Sequence, residues 1–186
     1  MISFSEMKKG MMVEIDGQIF QISEYAPFRM AQRAAMAKVK FKNIKTGKTF
    51  ERTMQPGEKM QRVQLDPQTA QYQYNDGDLY YFMDVKNYEQ LSLSKEVLGD
   101  AVFYLQEGIE VQIMNYKGQP VTVELPITVE LKVADTGPSY KGDTAAGGGK
   151  PAKMETGLEI KVPMFVDIGD KLKIDTRTGT YLERLG

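Results

Sequence analysis

The sequence predicts an all-β protein built from small barrels or sandwiches. Short apolar runs alternate with polar residues at close spacing, Gly, Asn and Asp punctuate them, and helical periodicity is scarce. The first run, VEIDGQIFQI, holds Asp16-Gly17 between two apolar stretches, one of the strongest hairpin signals. The chain continues through SEYAP and is expected to close that strand at Pro27. Lys38, Lys40 and Lys42 then alternate with Val39 and Phe41, the period-2 pattern of a half-buried strand. Between the two strands, Arg29–Ala35 reads as the exposed tip of a long hairpin. The tip bears Arg29, Gln32 and Arg33 and no acid.

The same devices recur along the chain. In KVKFKNIKTGKTFERTM a Lys-Thr-Gly-Lys turn separates Phe41 and Ile44 from Phe50, and Gln55-Pro56-Gly57-Glu58 makes another turn. QYQYNDGDLYYFMD carries Tyr72 and Tyr74 before a turn and Leu79–Met83 after it. EVQIMNYKGQPVTVELP pairs Val111 and Ile113 with Val121, Val123 and Leu125 across Lys117-Gly118. ITVELKVAD places Ile127, Val129, Leu131 and Val133 on one face, and LEIKVPMFVDIGDKLKIDTRTGTYLER follows later. Helix is expected only as a turn within Phe4–Lys9 and a short piece within Ser92–Leu98. Thr136–Pro151 is polar, Gly-rich and without apolar periodicity, a loop long enough to be functional or disordered.

Composition excludes much chemistry. The 186 residues contain neither Cys nor His, which removes thiol nucleophiles, disulfides, His bases, Cys/His zinc sites and the Ser-His-Asp triad. Metal could be held only through oxygen ligands, and no metal and no cofactor is expected. No apolar run approaches the roughly 20 residues of a membrane span. The start MISFSEMKKG lacks a signal-peptide layout, so a cytoplasmic protein is expected, with no membrane partner.

The net charge of −1 conceals three blocks. Residues 1–63 hold 12 Lys/Arg against 6 Asp/Glu, residues 64–128 hold 3 against 10, and residues 129–186 hold 9 against 9. Such asymmetry suggests separate modules, one of them suited to a polyanion. The expected divisions are a basic block 1–63 with the hairpin tip, an acidic block 64–128, and a C-terminal block 129–186 containing the loop 136–151. Blocks of about 60 residues are small for independent cores, so neighbours are expected to pack together.

Most candidate constellations read better as structure than as chemistry. Gly147-Gly148-Gly149-Lys150 fails as a phosphate loop, because Thr144 and Pro151 stand where that motif needs Gly and Ser/Thr. Asp76 and Asp78 flank Gly77, and a turn explains them better than acid–base work does. The aromatic residues Tyr72, Tyr74, Tyr80, Tyr81, Phe82 and Tyr88 could stack nucleobases, but their block is acidic, and core and face packing is the simpler account. The lysine row Lys38, Lys40, Lys42 together with the tip is the exception, a basic finger suited to nucleic-acid backbone contacts.

These residues resemble a known family. KPAKMETGLEIKVPMFVDIG carries Lys150, Ala152, Gly157, Ile160, Val162, Pro163, Val166 and Gly169 at the spacing of the elongation factor P signature. FKNIKTGKTFERTMQPGEK, YNDGDLYYFMDVKNYEQ and GDTAAGGGKPA are family-like as well, so the resemblance runs the length of the chain. It implies three β-barrels in an L shape, an N-terminal SH3-like barrel followed by two OB-folds. It implies a monomeric, non-enzymatic translation factor that binds the 70S ribosome between the peptidyl and exit sites. There it would brace the CCA end of peptidyl-tRNA, prolyl-tRNA above all, and relieve stalling at consecutive prolines.

The resemblance also implies roles for particular residues. The tip Arg29, Met30, Ala31, Gln32 and Arg33 would reach the CCA end, and Lys38, Lys40 and Lys42 would meet tRNA or rRNA backbone. Gly142, Asp143 and Thr144 would approach the exit-site codon of the messenger RNA. The family commonly places a modified Lys or Arg at the tip, where this chain has Gln32. Either Arg33 does the reaching or Gln32 works unmodified through its amide. Three alternatives stay open: a related factor with another ribosomal task, a single-stranded RNA-binding barrel acting off the ribosome, and a carboxylate hydrolase around Asp76 and Asp78.

Overall fold

A computed structural model describes residues 1–30, 34–138 and 148–186. Among them the chain forms three antiparallel sheets and very little helix. The first sheet contains β1 (Ile2–Ser3), β2 (Met12–Ile15), β3 (Gln18–Phe28), β4 (Met36–Asn43), β5 (Thr49–Met54) and β6 (Lys59–Val63), in the order β1-β6-β2-β3-β4-β5. The second contains β7 (Asp66–Asn75), β8 (Leu79–Asp84), β9 (Gln90–Ser94), β10 (Glu110–Tyr116) and β11 (Gln119–Glu124), in the order β11-β10-β7-β8-β9. The third contains β12 (Thr128–Thr136), β13 (Lys150–Met154), β14 (Glu159–Val162), β15 (Lys171–Asp175) and β16 (Thr180–Arg184), in the order β14-β13-β12-β15-β16.

Among the described residues, helix is confined to a 3-10 turn at Phe4–Glu6, α1 (Lys95–Leu98) and a 3-10 turn at Gly99–Tyr104. The expected helix at Ser92–Leu98 is therefore half strand. Ser92–Ser94 extend β9 against Leu79–Tyr81, and the helix begins only at Lys95.

Alternation builds each core. On β4, Ala37, Val39, Phe41 and Asn43 are buried while Lys38 and Lys42 face out. With Val13, Ile22 and Met54 the apolar three form the first core. Burying one such large apolar side chain is worth about 2–3 kcal/mol. The second core gathers Ala70, Tyr72, Tyr80, Phe82, Leu93, Val111 and Ile113. The third gathers Val129, Leu131, Val133, Met154, Leu172 and Ile174. Ile109 and Leu125 pack against both of the latter cores, so these two sheets share apolar contacts. The chain divides into two compact units, 1–67 with 114–122, and 68–113 with 123–186.

Bulges decide which face a residue takes. In β3 the register runs Ile22↔Phe41 and then Glu24↔Lys40, leaving Ser23 as the extra residue. Its hydroxyl donates to the Lys40 carbonyl at 3.1 Å. Beyond the bulge the core parity switches from Phe20 and Ile22 to Tyr25, which packs on the first core. In β7 a bulge between Tyr72 and Tyr74 sends Tyr74 outward, where it stacks on Tyr81 at 4.7 Å. The aromatic set therefore divides, with Tyr72, Tyr80 and Phe82 inside and Tyr74, Tyr81 and Tyr88 outside or at the surface.

Two strand expectations are corrected. Pro27 does not close β3; it pairs with Ala37, and the strand runs on to Phe28. β2 pairs only with Gln18–Gln21, so at Pro27 the far side of β3 is an open edge where no donor is needed. Ile127 does not share the face of Val129, Leu131 and Val133. It precedes β12 and is exposed, with its carbonyl taken by the Thr176 amide.

One turn is used in all three sheets. Asn43, Asp84 and Asp175 are buried at strand ends, and each side chain accepts the amide two residues on. Each backbone carbonyl accepts the amide four residues on, from Gly47, Tyr88 and Gly179, all at positive φ. A short side chain that folds back onto its own backbone explains why these polar groups are buried at low cost.

Candidate nucleic-acid interface

The hairpin of β3 and β4 outruns β2, and β5 continues beside β4 from Ala37 to Lys42. Arg29 and Met30 follow directly on β3 and are exposed, Met30 by 51%. Ala31, Gln32 and Arg33 lie outside the described residues, as do Gly142, Asp143 and Thr144. The structure places Lys38, Lys40 and Lys42 on the outer face of β4, as the alternation requires.

That face is not a bare cationic strip. Lys40 stands opposite Glu24 on one side and Glu51 on the other. Lys40 Nζ lies 3.3 Å from Glu24 Oε1, and Lys38 Nζ lies 3.9 Å from Glu51 Oε1. Lys42 faces Gln21 and Thr49. Exposed pairs of this kind add little stability and exchange readily with phosphate. They nevertheless reduce the field that three free lysines would project.

Sequence reading missed both acids for different reasons. Counting outward from the Lys45–Lys48 turn would put Glu51 opposite Lys42, but the ladder closes at Asn43 and Lys48, which sets Glu51 against Lys40. The Ser23 bulge hides Glu24, since an unbulged count would oppose it to Val39 and turn it toward the core.

Asp76 proves to be a turn former. Its Oδ1 accepts the amides of Asp78 and Leu79, and its Oδ2 accepts the Tyr81 hydroxyl at 2.9 Å. The Leu79 and Asp78 amides, then the Tyr81 hydroxyl, hold its carboxyl below the usual carboxylate range. A carboxylate held so by three donors is poorly suited to carry a proton near neutral pH. Among the described residues no group of three acids could hold a metal ion, and no helix is long and apolar enough to cross a membrane.

At the root of the 136–151 connection, Lys161 and Tyr181 line a groove of about 420 Å³ beside Gly148 and Gly149. Neither residue stood out in the sequence, because the groove forms only when β14 and β16 come together. Lys150 itself is buried, with its amine on the Gly137 carbonyl, which closes the phosphate-loop reading.

Comparison with known proteins agrees over the full length. Residues 3–60 match the elongation factor P KOW-like domain, residues 65–123 the elongation factor P OB domain, and residues 129–184 the elongation factor P C-terminal domain. The chain belongs to the elongation factor P family. Elongation factor P of Thermodesulfovibrio yellowstonii is 48% identical over 185 residues, covering 100% of this chain and 99% of that protein. Elongation factor P of Thermotoga maritima is 49% identical over 184 residues, covering 99% and 100%. A solved structure of eukaryotic translation initiation factor 5A from Methanococcus jannaschii superposes with a TM-score of 0.52 at 22% identity, over 67% of this chain and 93% of that one. That likeness bears on the fold alone. The all-β expectation holds, with a KOW-like domain first and OB architecture after it. As named, the relatives are translation elongation factors rather than members of an enzyme family.

Proposed function

We propose that this elongation factor P binds the 70S ribosome between the peptidyl and exit sites and accelerates peptide bond formation at consecutive prolines. The observation that carries the reading is the β3–β4 hairpin. It outruns β2, presents Lys38, Lys40 and Lys42 on its outer face, and delivers Arg29 and Met30 to its end. In this reading Arg29 to Arg33 brace the CCA end of peptidyl-tRNA, and the lysine row meets tRNA or rRNA backbone. Gly142, Asp143 and Thr144 touch the exit-site codon of the messenger.

Proline is a rigid, cyclic amine nucleophile, and a peptidyl end held off-line reacts slowly. Bracing that end restores near-attack geometry without any chemistry by the factor. Each 1.4 kcal/mol so recovered is worth about tenfold in rate. The blocks 1–63, 64–128 and 129–186 divide the work, with the first at the tRNA end and the last at the messenger. The factor acts as a monomer in the cytoplasm and uses no cofactor.

The decisive experiment is Pro-Pro-Pro synthesis in a reconstituted translation system with and without unmodified recombinant protein. Acceleration supports the reading and shows that a Gln32/Arg33 tip needs no added group. No acceleration, with protein from its own cells also inert, rejects it. Gln32 is the one observation favouring a related factor with another ribosomal task, and that second outcome would point there.

A further inference from the structure

Packing or backbone geometry explains seven of the eight residues in the C-terminal signature. Ala152, Ile160, Val162 and Val166 are core residues, and Gly157 and Gly169 hold positive φ. The Pro163 carbonyl accepts the Val166 amide in a turn. Lys150 is the exception. It lies on the inward side of β13 with Ala152 and Met154, at 6% exposure. No other Lys or Arg among the described residues is buried. An ammonium in such a wall is unfavourable unless it is hydrogen-bonded, and a Met of similar length would fill the space without that penalty. Shape alone therefore does not call for lysine.

Its amine reaches the chain that leaves the sheet. Lys150 Nζ donates to the Gly137 carbonyl at 2.5 Å. Two further features converge on the same place. Thr136 Oγ1 donates to the Pro151 carbonyl at 3.0 Å, where Thr136 pairs with Ala152 across the ladder. At Gly149 a Cβ would lie 2.4 Å from the Val162 carbonyl oxygen and 2.9 Å from Lys161 Cγ. Only glycine lets the returning chain run this close to β14. The outgoing residues 136–137 and the returning residues 149–151 are thus tied at several points, on either side of segment 139–147.

We infer that Lys150 is a positioning residue, whose buried ammonium clasps Gly137 and fixes the root from which Gly142-Asp143-Thr144 is presented to the messenger. The inference rests on the messenger contact proposed above. A connection with loose ends would lose more entropy on binding, and tying its root beforehand lowers that penalty. A cation suits the role because a charge-assisted bond to a carbonyl is stronger than a neutral one.

The chain's lack of cysteine makes the test clean. Lys150→Met removes the donor at similar length. Lys150→Cys, alkylated with 2-bromoethylamine while unfolded and then refolded, restores an amine with one methylene replaced by sulfur. Wild-type protein taken through the same cycle is the control. Two measurements are made: amide hydrogen exchange, and acceleration of Pro-Pro-Pro synthesis at subsaturating factor.

In Lys150→Met, exchange at the amides of Thr136, Gly137 and Gly148–Lys150 is expected to rise about tenfold while Val129–Val133 stay protected, the factor that 1.4 kcal/mol represents. Acceleration should fall by a similar factor, with no further loss when Asp143→Ala and Thr144→Ala are added, and the aminoethylated variant should recover both. Unchanged exchange, a loss that adds to the loop substitutions, or a loss the restored amine does not rescue would overturn the inference. Should Lys150→Met not fold, Thr136→Val removes a neighbouring tie from a half-buried residue, and unchanged root exchange there counts against the clasp. If wild-type factor gives no acceleration, the functional reading fails while the exchange data still decide the clasp.

Discussion

Glu24 lies directly across the β3–β4 ladder from Lys40, its Oε1 3.3 Å from Nζ, and Glu51 stands opposite the same lysine on β5. The finger that sequence presents as a row of three lysines is therefore charge-compensated at its middle. If this face meets nucleic acid as proposed, the two acids are a brake that a phosphate must displace.

Removing that brake should strengthen binding. Glu24→Gln with Glu51→Gln is expected to raise 70S affinity several-fold at low salt. Lys40→Glu should lower affinity at least tenfold and weaken proline rescue without unfolding the protein. Each additional phosphate neutralised, or each one released, should change the slope of log affinity against log salt by about 0.7–0.9. A salt titration of binding by all three proteins tests this. Identical slopes would mean that the outer face of β4 does not meet phosphate.

The tip gives a second prediction. Arg33→Glu should reduce acceleration of Pro-Pro-Pro synthesis by at least tenfold, since in the proposed reading a carboxylate would replace a tip cation that meets the CCA end. Gln32→Ala should cost less, about threefold to tenfold, as one amide hydrogen bond is worth about 0.5–1.5 kcal/mol. Full activity of both variants in the reconstituted system would remove the tip from the mechanism.

Asp175 sets an acid limit on the C-terminal sheet. The Arg177 guanidinium, 2.7 Å away, and the Arg177 amide lower its carboxyl from 3.8 to about 2. A folded-state value below the unfolded one means the contribution is complete above about pH 4 and is lost as pH falls toward about 2. Asp175→Asn should therefore be less stable than wild type at neutral pH, with the difference closing between about pH 4 and pH 2. Urea midpoints across that range measure it. A constant difference would show that the charge on Asp175 is irrelevant. Asn43 fills the same turn in the first sheet and has no charge to lose.

The shared turn also sorts two substitutions by sign. Tyr88 sits at φ +60 with its side chain 73% exposed, a conformation that costs a non-glycine residue about 1–2 kcal/mol. Tyr88→Gly should stabilise the protein by about 0.5–1 kcal/mol once glycine's own entropy is counted. At the equivalent Gly179, φ is +68 and a Cβ would lie 3.0 Å from the Tyr104 hydroxyl. Gly179→Ala should be destabilising by more than the Tyr88 change stabilises. Thermal unfolding of the two variants decides, and a shift of the same sign in both would refute the shared-turn account.

By itself the sequence determined the all-β class, the turns and the side of β4 on which its lysines stand. Each of these follows from local chemistry: Asp16-Gly17 and Lys117-Gly118 supply positive φ, and Val39 and Phe41 alternate with lysine at the strand period. The C-terminal signature was legible as a family mark, though not as what it mainly is, a set of core residues and turn glycines around one buried lysine. Tertiary structure alone decided the rest. A single extra residue, Ser23, reverses the faces of β3 and delivers Glu24 to Lys40, and the extra residue before Tyr74 likewise brings that ring onto Tyr81. Lys150 meets Gly137 only because β12 and β13 pair across a long connection. Bulges and long-range pairing depend on the packing of whole sheets, and no short window of residues contains that information.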